Sequence, residues 1–307
     1  MTSLTDTPVH ALAERSSGSW TVLAVILSSA EYLIGKGVSR GRLDAEHLLA
    51  HALGTERLQL YLEHDRPLVS EELDLLRPLL KRRAQREPLQ YILGRQPFRT
   101  LDLIVDRSVL IPRPETEMLV EEILSRVGPS EDRDLEALDI GTGTGAIALS
   151  LAREGPFGRV VATDISSEAI GVAMRNRAEA GLVEQIEFRQ GAYFEPVAVH
   201  EDFDVVVSNP PYVAEDVISE LEPEVRDWEP ADALFSGRDG LDAVRRIAAE
   251  AAAHIRASGL LALEVGSDQT ERVAGMLEAS GDYVEVRIRR DLTGRNRFVL
   301  ARRGPPA

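Results

Sequence analysis

From Ala137 to Ala301 the chain switches repeatedly between short runs of apolar, largely β-branched residues and longer stretches whose apolar positions recur at helical spacing. Strands are expected at Ala137–Ile140, Val160–Asp164, Ile186–Arg189, Phe203–Ser208, Leu260–Val265, Tyr283–Ile288 and Arg297–Ala301, with helices between most of them, notably over 145–153, 167–180, 240–257 and 268–279. Such alternation predicts a doubly wound α/β fold: a mostly parallel sheet, covered on both faces by helices that serve as right-handed crossovers. The last two strands are separated by too short a loop for a crossover, so they must run antiparallel to each other.

The residues before this region read differently. Leu23, Ile26, Leu27, Ala30, Leu33 and Ile34 fall at helical spacing after a polar N-terminus expected to be frayed, and Gly35 and Gly37 supply a stop. A second helix is predicted from Leu43 to Leu53, closed by Gly54. A third opens at Ser70, taken as its N-cap, with Glu71 and Glu72 in the first turn. Pro78 lies inside that third pattern and predicts a kink or break. From Pro97 the period changes to alternation: Leu101, Leu103 and Val105, then Val109-Leu110-Ile111 after a turn, which reads as a β-hairpin. Pro114 then opens another helix. The expected organisation is a small all-α helical bundle over 1–95, a β-hairpin linker over 96–114 and the α/β domain over 115–307.

Charge narrows the partners. Asp and Glu total 51 against 35 Lys and Arg, for a net charge of −16. A protein that grips a phosphate backbone normally presents the opposite sign, so no stable nucleic-acid binding is expected. One basic stretch, Arg77 to Arg99, carries Arg77, Lys81, Arg82, Arg83, Arg86, Arg95 and Arg99 against the single acid Glu87. It reads either as a solvated helix face or as a docking surface for an acidic partner. The absence of cysteine excludes disulfides and thiolate sites and is compatible with a reducing cytoplasm. The apolar run from Trp20 to Ala30 superficially resembles a signal peptide. It lacks a positive leading segment, since Arg15 is offset by Glu14, and it is too short to cross a bilayer, so a buried helix and no membrane association are expected. His47 and His51 could share a helix face, but Leu48 stands where a zinc-protease motif needs glutamate, and no metal site is expected. Trp20 and Trp228 read as packing anchors.

Two loops carry the chemistry. Gly141-Thr142-Gly143-Thr144-Gly145 follows the first predicted strand of the α/β region and opens a helix, a backbone that can turn tightly and let a ligand approach. Asp164 ends the next strand, 19 positions after Gly145, where a carboxylate can accept hydrogen bonds from both ribose hydroxyls. Nicotinamide, flavin and S-adenosylmethionine proteins all share this arrangement. Asn209-Pro210-Pro211-Tyr212 lies at the carboxyl end of the Phe203–Ser208 strand, where open α/β sheets bind ligands. An amide or aromatic amino nitrogen is a poor nucleophile because its lone pair is delocalised. The Asn209 side-chain carbonyl and the Pro210 main-chain carbonyl can each accept one N–H of such a group and turn its lone pair toward a sulfonium methyl. The prolines restrict the backbone that aims those carbonyls, and Tyr212 can stack on the planar group.

These residues resemble those of the release factor glutamine methyltransferases, the PrmC/HemK family. The matching blocks are Arg42 to Glu46, Pro88 to Gly94, Leu110 to Glu117, Asp139 to Ala146, Ser208 to Tyr212, Glu229-Pro230, Asp239 to Leu241 and Asp291 to Gly294. The Asn-Pro-Pro-Tyr element is shared with DNA amino-methyltransferases, whereas Ile111-Pro112-Arg113-Pro114-Glu115-Thr116-Glu117 and the helical domain are more specific. The resemblance implies a Rossmann-like, seven-stranded S-adenosylmethionine-dependent methyltransferase domain with its last strand antiparallel. It implies cytoplasmic N5-methylation of the glutamine in the Gly-Gly-Gln motif of class I peptide-chain release factors, with the helical domain gripping that partner. Cofactor contacts then map to Gly141, Thr142, Gly143, Thr144, Gly145, Asp164, Tyr193 and Asn209, and substrate positioning to Asn209, Pro210, Pro211 and Tyr212. Three positions depart from the family pattern: Ala192, where many relatives carry an acid placed to meet the adenine amine; Ser236, where a paired glycine is usual; and Pro78. The alternatives are N6-adenine or N4-cytosine methylation of nucleic acid, which needs the same loop, and a non-catalytic binding scaffold.

Overall fold

Caps and left-handed glycines set the limits of the first helices. The computed structural model describes residues 20–128 and 135–305, and the N-terminal stretch expected to be frayed lies outside them. Helix α1, Val22–Gly35, begins where the Thr21 hydroxyl accepts the Ala24 N–H at 3.3 Å. Helix α2, Gly41–Leu53, ends on Gly54 at φ 62°, as its sequence position predicts. Helices α3 (Arg57–Leu62), α4 (Ser70–Ala84) and α5 (Leu89–Leu93) follow. The sequence reading missed α3 and α5, which are too short to display a helical period.

Helix α4 corrects two expectations. Ser70 is its first helical residue, not its cap; Val69 holds the cap position, and the Glu72 carboxylate accepts the Val69 N–H at 3.0 Å. The helix also continues unbroken through Pro78. Pro78 and Asp74, whose carbonyl loses its donor, both lie on the exposed side, where water can replace the missing bond. Leu33, Leu48, Leu49, Leu76 and Leu80 form the buried centre of this bundle, and Trp20 packs against it.

The described residues form two compact units. One contains the chain up to Gly94 together with the separate segment Pro223–Trp228; the other contains Arg95–Glu222 and the chain from Glu229 onward. Within the first unit Arg83, 7% exposed, donates to Asp44 at 2.7 Å and to Glu224 at 2.8 Å, and Arg86 donates to Glu224 at 2.7 Å. Arg82 makes a bidentate pair with Glu87 at 2.9 and 2.8 Å. In the second unit Arg95 pairs with Glu179, and Arg99 with Glu154 and Glu121. Most arginines of the basic stretch are therefore paired with acids, several of them remote in sequence.

The second unit opens with strands β1 (Arg95–Phe98) and β2 (Leu101–Ile104), paired antiparallel. The expected hairpin is present, but its partners differ from the expectation: Val109-Leu110-Ile111 is not a strand. The Asn176 carboxamide accepts the Ile104 N–H at 2.7 Å and donates to its carbonyl at 3.1 Å, which ends the ladder there. Val109 and Ile111 are buried as loop residues instead. Helix α6 (Pro114–Val127) is followed by β3 (Leu135–Ile140), α7 (Ala146–Glu154), β4 (Phe157–Asp164), α8 (Ser167–Ala180), β5 (Ile186–Gln190), β6 (Phe203–Ser208), α9 (Asp242–Glu250), β7 (Ile255–Glu264), α10 (Thr270–Ser280), β8 (Tyr283–Arg290) and β9 (Asn296–Arg303). The sheet order is β5-β4-β3-β6-β7-β9-β8; its first five strands are parallel, and β9 runs antiparallel to both β7 and β8. The helix expected over 240–257 stops at Glu250, because Ile255 pairs with Phe203 in the sheet. Its alanine-rich end carried no signal for that pairing.

Alternate residues of the central strands feed two cores, one with Leu119, Ile123, Phe157 and Phe298, the other with Phe203, Leu261, Leu263 and Leu277. Strand order reverses between β3 and β6, so their carboxyl ends flank a crevice. Among the described residues no helix is long and apolar enough to cross a membrane.

Replacing Arg83 with methionine leaves the buried Asp44 carboxylate without its partner and weakens the hold on Glu224. Loss of one member of a buried ion pair costs about 3–5 kcal/mol. Denaturant unfolding of the full chain followed by circular dichroism should therefore show an earlier transition; an unchanged midpoint would show that the pairs add nothing.

Candidate active site

The glycine loop between β3 and α7 is held by the neighbouring strand. The Thr163 carbonyl accepts the N–H groups of Gly141 and Thr142 at 2.8 and 3.0 Å, and the Asp164 carboxylate accepts the Gly143 N–H at 2.8 Å and the Ser166 N–H at 2.9 Å. Gly141, Gly143 and Gly145 have φ of 71°, 55° and 82°. A Cβ added at Gly141 or Gly143 would meet nothing within 4 Å, so open space lies in front of this backbone, which a side chain would obstruct. Thr144 is buried, and its carbonyl accepts from Asn176 at 2.9 Å. The loop is thus a fixed cradle.

Two carboxylates face it. Burial raises the Asp164 carboxyl above its usual range, opposed by the backbone N–H groups it accepts. Each of its oxygens keeps acceptor capacity beyond those bonds, as ribose hydroxyls require. Asp139 is fully buried; one oxygen accepts from the Thr142 hydroxyl at 2.6 Å and the Ala148 N–H at 3.2 Å, and the other has no partner among the described residues. Desolvation pushes its carboxyl up to about 7. Tyr193 has φ 51°, its carbonyl accepts from Thr163 at 3.1 Å, and the Arg246 guanidinium lies 4.8 Å from its ring centre. The Ala192 N–H approaches the Glu195 carboxylate at 3.4 Å. An open cradle, a strand-end acid and a half-buried aromatic suit an adenosyl cofactor.

The Asn-Pro-Pro-Tyr loop continues from β6, whose last residue, Ser208, donates to the Ile140 carbonyl at 2.7 Å and ties the two loop roots together. The Asn209 Nδ2 donates to the Thr116 hydroxyl at 3.1 Å, while its Oδ1 is buried and has no partner among the described residues. Tyr212 is held at both ends. Gln269 donates to its carbonyl at 2.9 Å, and Arg297 donates to its hydroxyl at 2.8 Å with the guanidinium 5.0 Å from the ring centre. Gly240, at φ 72°, lets this backbone pass, since a Cβ there would lie 2.2 Å from the Tyr212 carbonyl oxygen. Burial pushes the Tyr212 phenol up to about 12, so it stays neutral at physiological pH.

Thr116 reaches the site because Arg113 is extended and Pro114 starts α6 two residues before it, which puts Thr116 in the first turn. Its hydroxyl also donates to the fully buried Glu264 at 2.8 Å. Arg113 anchors the same helix end by donating twice to Glu229, at 2.7 and 2.8 Å. Glu264, Arg297, Gln269 and Ser208 were not recognised as site residues from the sequence. Glu264 alone had a signal, an acid within the apolar run Leu260-Leu261-Ala262-Leu263-Glu264-Val265. Ser236 has a structural task, since its hydroxyl accepts the Ala243 N–H at 2.8 Å at the start of α9. His47 lies 3.2 Å from the Arg57 guanidinium, and no group of three metal-ligating side chains is found among the described residues.

Sheet order and the acceptor at the rim place the second unit among the Rossmann-like methyltransferases. A Pyrococcus furiosus methyltransferase structure covers 67% of this chain and 91% of its own with a TM-score of 0.50 at 18% identity. The hMettl16 catalytic domain, solved with the MAT2A 3'UTR hairpin 6, covers 74% and 81% with a TM-score of 0.54 at 17% identity. Both likenesses concern the fold. Residues 25–94 match the PrmC N-terminal domain family, and residues 114–222 match the methyltransferase small domain family. The release factor glutamine methyltransferase of Geobacter sulfurreducens is 43% identical over 93% of this chain and 98% of its own. Those of Xylella fastidiosa and Rhodopirellula baltica are 43% identical over 85% and 93%, and 35% identical over 94% and 98%, respectively. The chain belongs to the release factor glutamine methyltransferase family, and its cofactor is S-adenosylmethionine.

Replacing Asp164 with alanine should weaken cofactor binding at least about tenfold, since a hydrogen bond to a charged group contributes about 1.5–3 kcal/mol. Titration calorimetry measures this directly, and unchanged affinity would remove Asp164 from the cofactor site.

Proposed function

We propose that this protein methylates the side-chain amide nitrogen (N5) of the glutamine in the Gly-Gly-Gln motif of class I peptide-chain release factors, in the cytoplasm. The helical unit is the part assigned to gripping the release factor, and the α/β unit performs the transfer. The observation that carries this reading is the buried Asn209 Oδ1 at the rim of the sheet, an acceptor with no partner among the described residues.

When bound, S-adenosylmethionine supplies an electrophilic methyl carbon on a sulfonium. Asn209 Oδ1 and the Pro210 carbonyl each accept one hydrogen of the glutamine NH2, which keeps the nitrogen from rotating and raises its electron density. Pro210 and Pro211 hold those acceptors in place without further ordering on binding. Tyr212, braced by Arg297 and Gln269, offers a neutral ring for the planar amide to stack on. The nitrogen would gain the methyl as the carbon–sulfur bond breaks and leaves its electron pair on sulfur, and it would release one proton to water, so no strong general base is required. Positioning of this kind can supply about 7–11 kcal/mol of barrier reduction. The net charge of −16 weighs against the nucleic-acid reading of the same loop, which must also hold the phosphates around an extracted base.

Mass spectrometry of a purified class I release factor after incubation with enzyme and cofactor should show a gain of one methyl on its Gly-Gly-Gln peptide. Label entering DNA and not the release factor would reverse the assignment, and failure to bind cofactor would favour a scaffold. Replacing Asn209 with alanine should reduce kcat by roughly two to three orders of magnitude, as loss of an oriented acceptor or donor does elsewhere. Cofactor affinity should be largely kept, and equal losses in both would break the division of roles between Asn209 and Asp164.

A further inference from the structure

A carboxamide has two ends of nearly equal shape and opposite hydrogen-bonding character, and a half-turn about its last bond exchanges them. For Asn209 the exchange would be decisive, because an NH2 group aimed at the glutamine nitrogen repels the hydrogens that Oδ1 is meant to accept. Something must hold the carboxamide one way round. Its Nδ2 donates to Thr116 Oγ1 at 3.1 Å, and Thr116 Oγ1 lies 2.8 Å from Glu264 Oε2. A hydroxyl has one hydrogen. Directed at a carboxylate, which only accepts, that hydrogen leaves Thr116 with lone pairs alone to offer Asn209, and lone pairs bind Nδ2 and reject Oδ1.

We propose that Thr116 and Glu264 are positioning residues that set the polarity of the Asn209 carboxamide, so that its carbonyl and not its NH2 faces the substrate amide. The inference rests on the methyl-transfer reading for its consequence, but not for its geometry. The three groups come from the first turn of α6, the end of β6 and the end of β7, and Thr116 and Glu264 are 4% and 0% exposed. Water therefore has little access with which to scramble the order. Arg297, whose Nε lies 3.8 Å from Glu264 Oε1, faces the carboxylate from β9. Arg113 and Glu115 act on it from the start of α6, and its charge is felt by Tyr212. Burial outweighs these cations and pushes the Glu264 carboxyl up to about 7.

That placement gives the device a sign. Below that range a protonated Glu264 can donate to Thr116, whose own hydrogen is then free to turn to Asn209 and bind Oδ1. Carboxamide polarity is then lost and kcat falls as pH decreases, recovering as pH rises through the titration of Glu264.

The test uses the full-length enzyme with its release factor substrate and three variants. Thr116→Ser keeps the hydroxyl, Thr116→Val keeps the shape without it, and Glu264→Gln keeps an acceptor carbonyl that does not titrate. Thr116→Val should lose roughly ten- to a hundredfold in kcat with cofactor affinity unchanged, Thr116→Ser should recover most of that loss, and Glu264→Gln should show a kcat that no longer falls on the acid side. A second readout needs no turnover. The chain has three asparagines, Asn176, Asn209 and Asn296, so nitrogen-labelled asparagine resolves the Asn209 NH2 by magnetic resonance. Its protons should exchange slowly in wild type and Thr116→Ser and quickly in Thr116→Val. Wild-type kcat and slow exchange in Thr116→Val, or an acid limb that persists in Glu264→Gln, would overturn the inference. Slow, Thr116-dependent exchange in an enzyme that leaves the release factor unmethylated would instead overturn the functional reading while keeping the relay.

Discussion

A fully buried carboxylate organises this site. Glu264 ends β7 directly after the buried apolar run Leu260-Leu261-Ala262-Leu263, and it is fully buried. Burying such a group is unfavourable unless its lone pairs are used. Thr116 uses one and Arg297 stands near another. Through those two residues the same acid reaches Asn209 on one side and Tyr212 on the other. The rim of the sheet is therefore a connected polar network in which Asn209 Oδ1, Glu264 Oε1 and Arg297 Nε have no hydrogen-bond partner among the described residues, and Asn209 Oδ1 is the one that belongs to the Asn-Pro-Pro-Tyr loop. Networks of this kind are stable when complete, and they define one arrangement of their members.

The remaining polar architecture follows the same rule with opposite emphasis. The chain is strongly acidic, yet its arginines are extensively paired, and the most basic stretch is tied to acids in both units. Arg83 and Arg86 hold Glu224, in the short segment that joins the helical unit although it follows the Asn-Pro-Pro-Tyr loop in sequence. Exposed pairs among these contribute little individually, whereas the buried Arg83 group is costly to break. The fold thus uses its charges to fix chain segments and leaves few of them as an open field for a polyanion.

Much of this was legible from the residues. The α/β alternation, the seven strands, the antiparallel last strand, the glycine loop and the Asn-Pro-Pro-Tyr rim all follow from patterns a few residues long, because pleat, turn and cap geometry act over that range. The failures share a cause. The short helices Arg57–Leu62 and Leu89–Leu93 hold too few residues to show a period. The partner of the Leu101–Ile104 strand was misassigned because Asn176, far along the chain, decides where that ladder ends. The helix after Gly240 was drawn too long because its alanines suit a helix equally well, and only pairing with β6 stops it.

Sequence by itself determined the kinds of chemistry available: glycines where a backbone must turn with no Cβ, an acid at a strand end, prolines that fix a pair of carbonyls, no thiol. Those are properties of single residues and their near neighbours. Tertiary structure alone decided how they are aimed. Thr116 and Glu264 are separated by 148 positions and Thr116 and Asn209 by 93. No local pattern relates such residues, because hydrogen-bond direction depends on where three separate elements end. Which end of a carboxamide faces the substrate is a property of the packed sheet, and it exists only once the strands have brought those ends together.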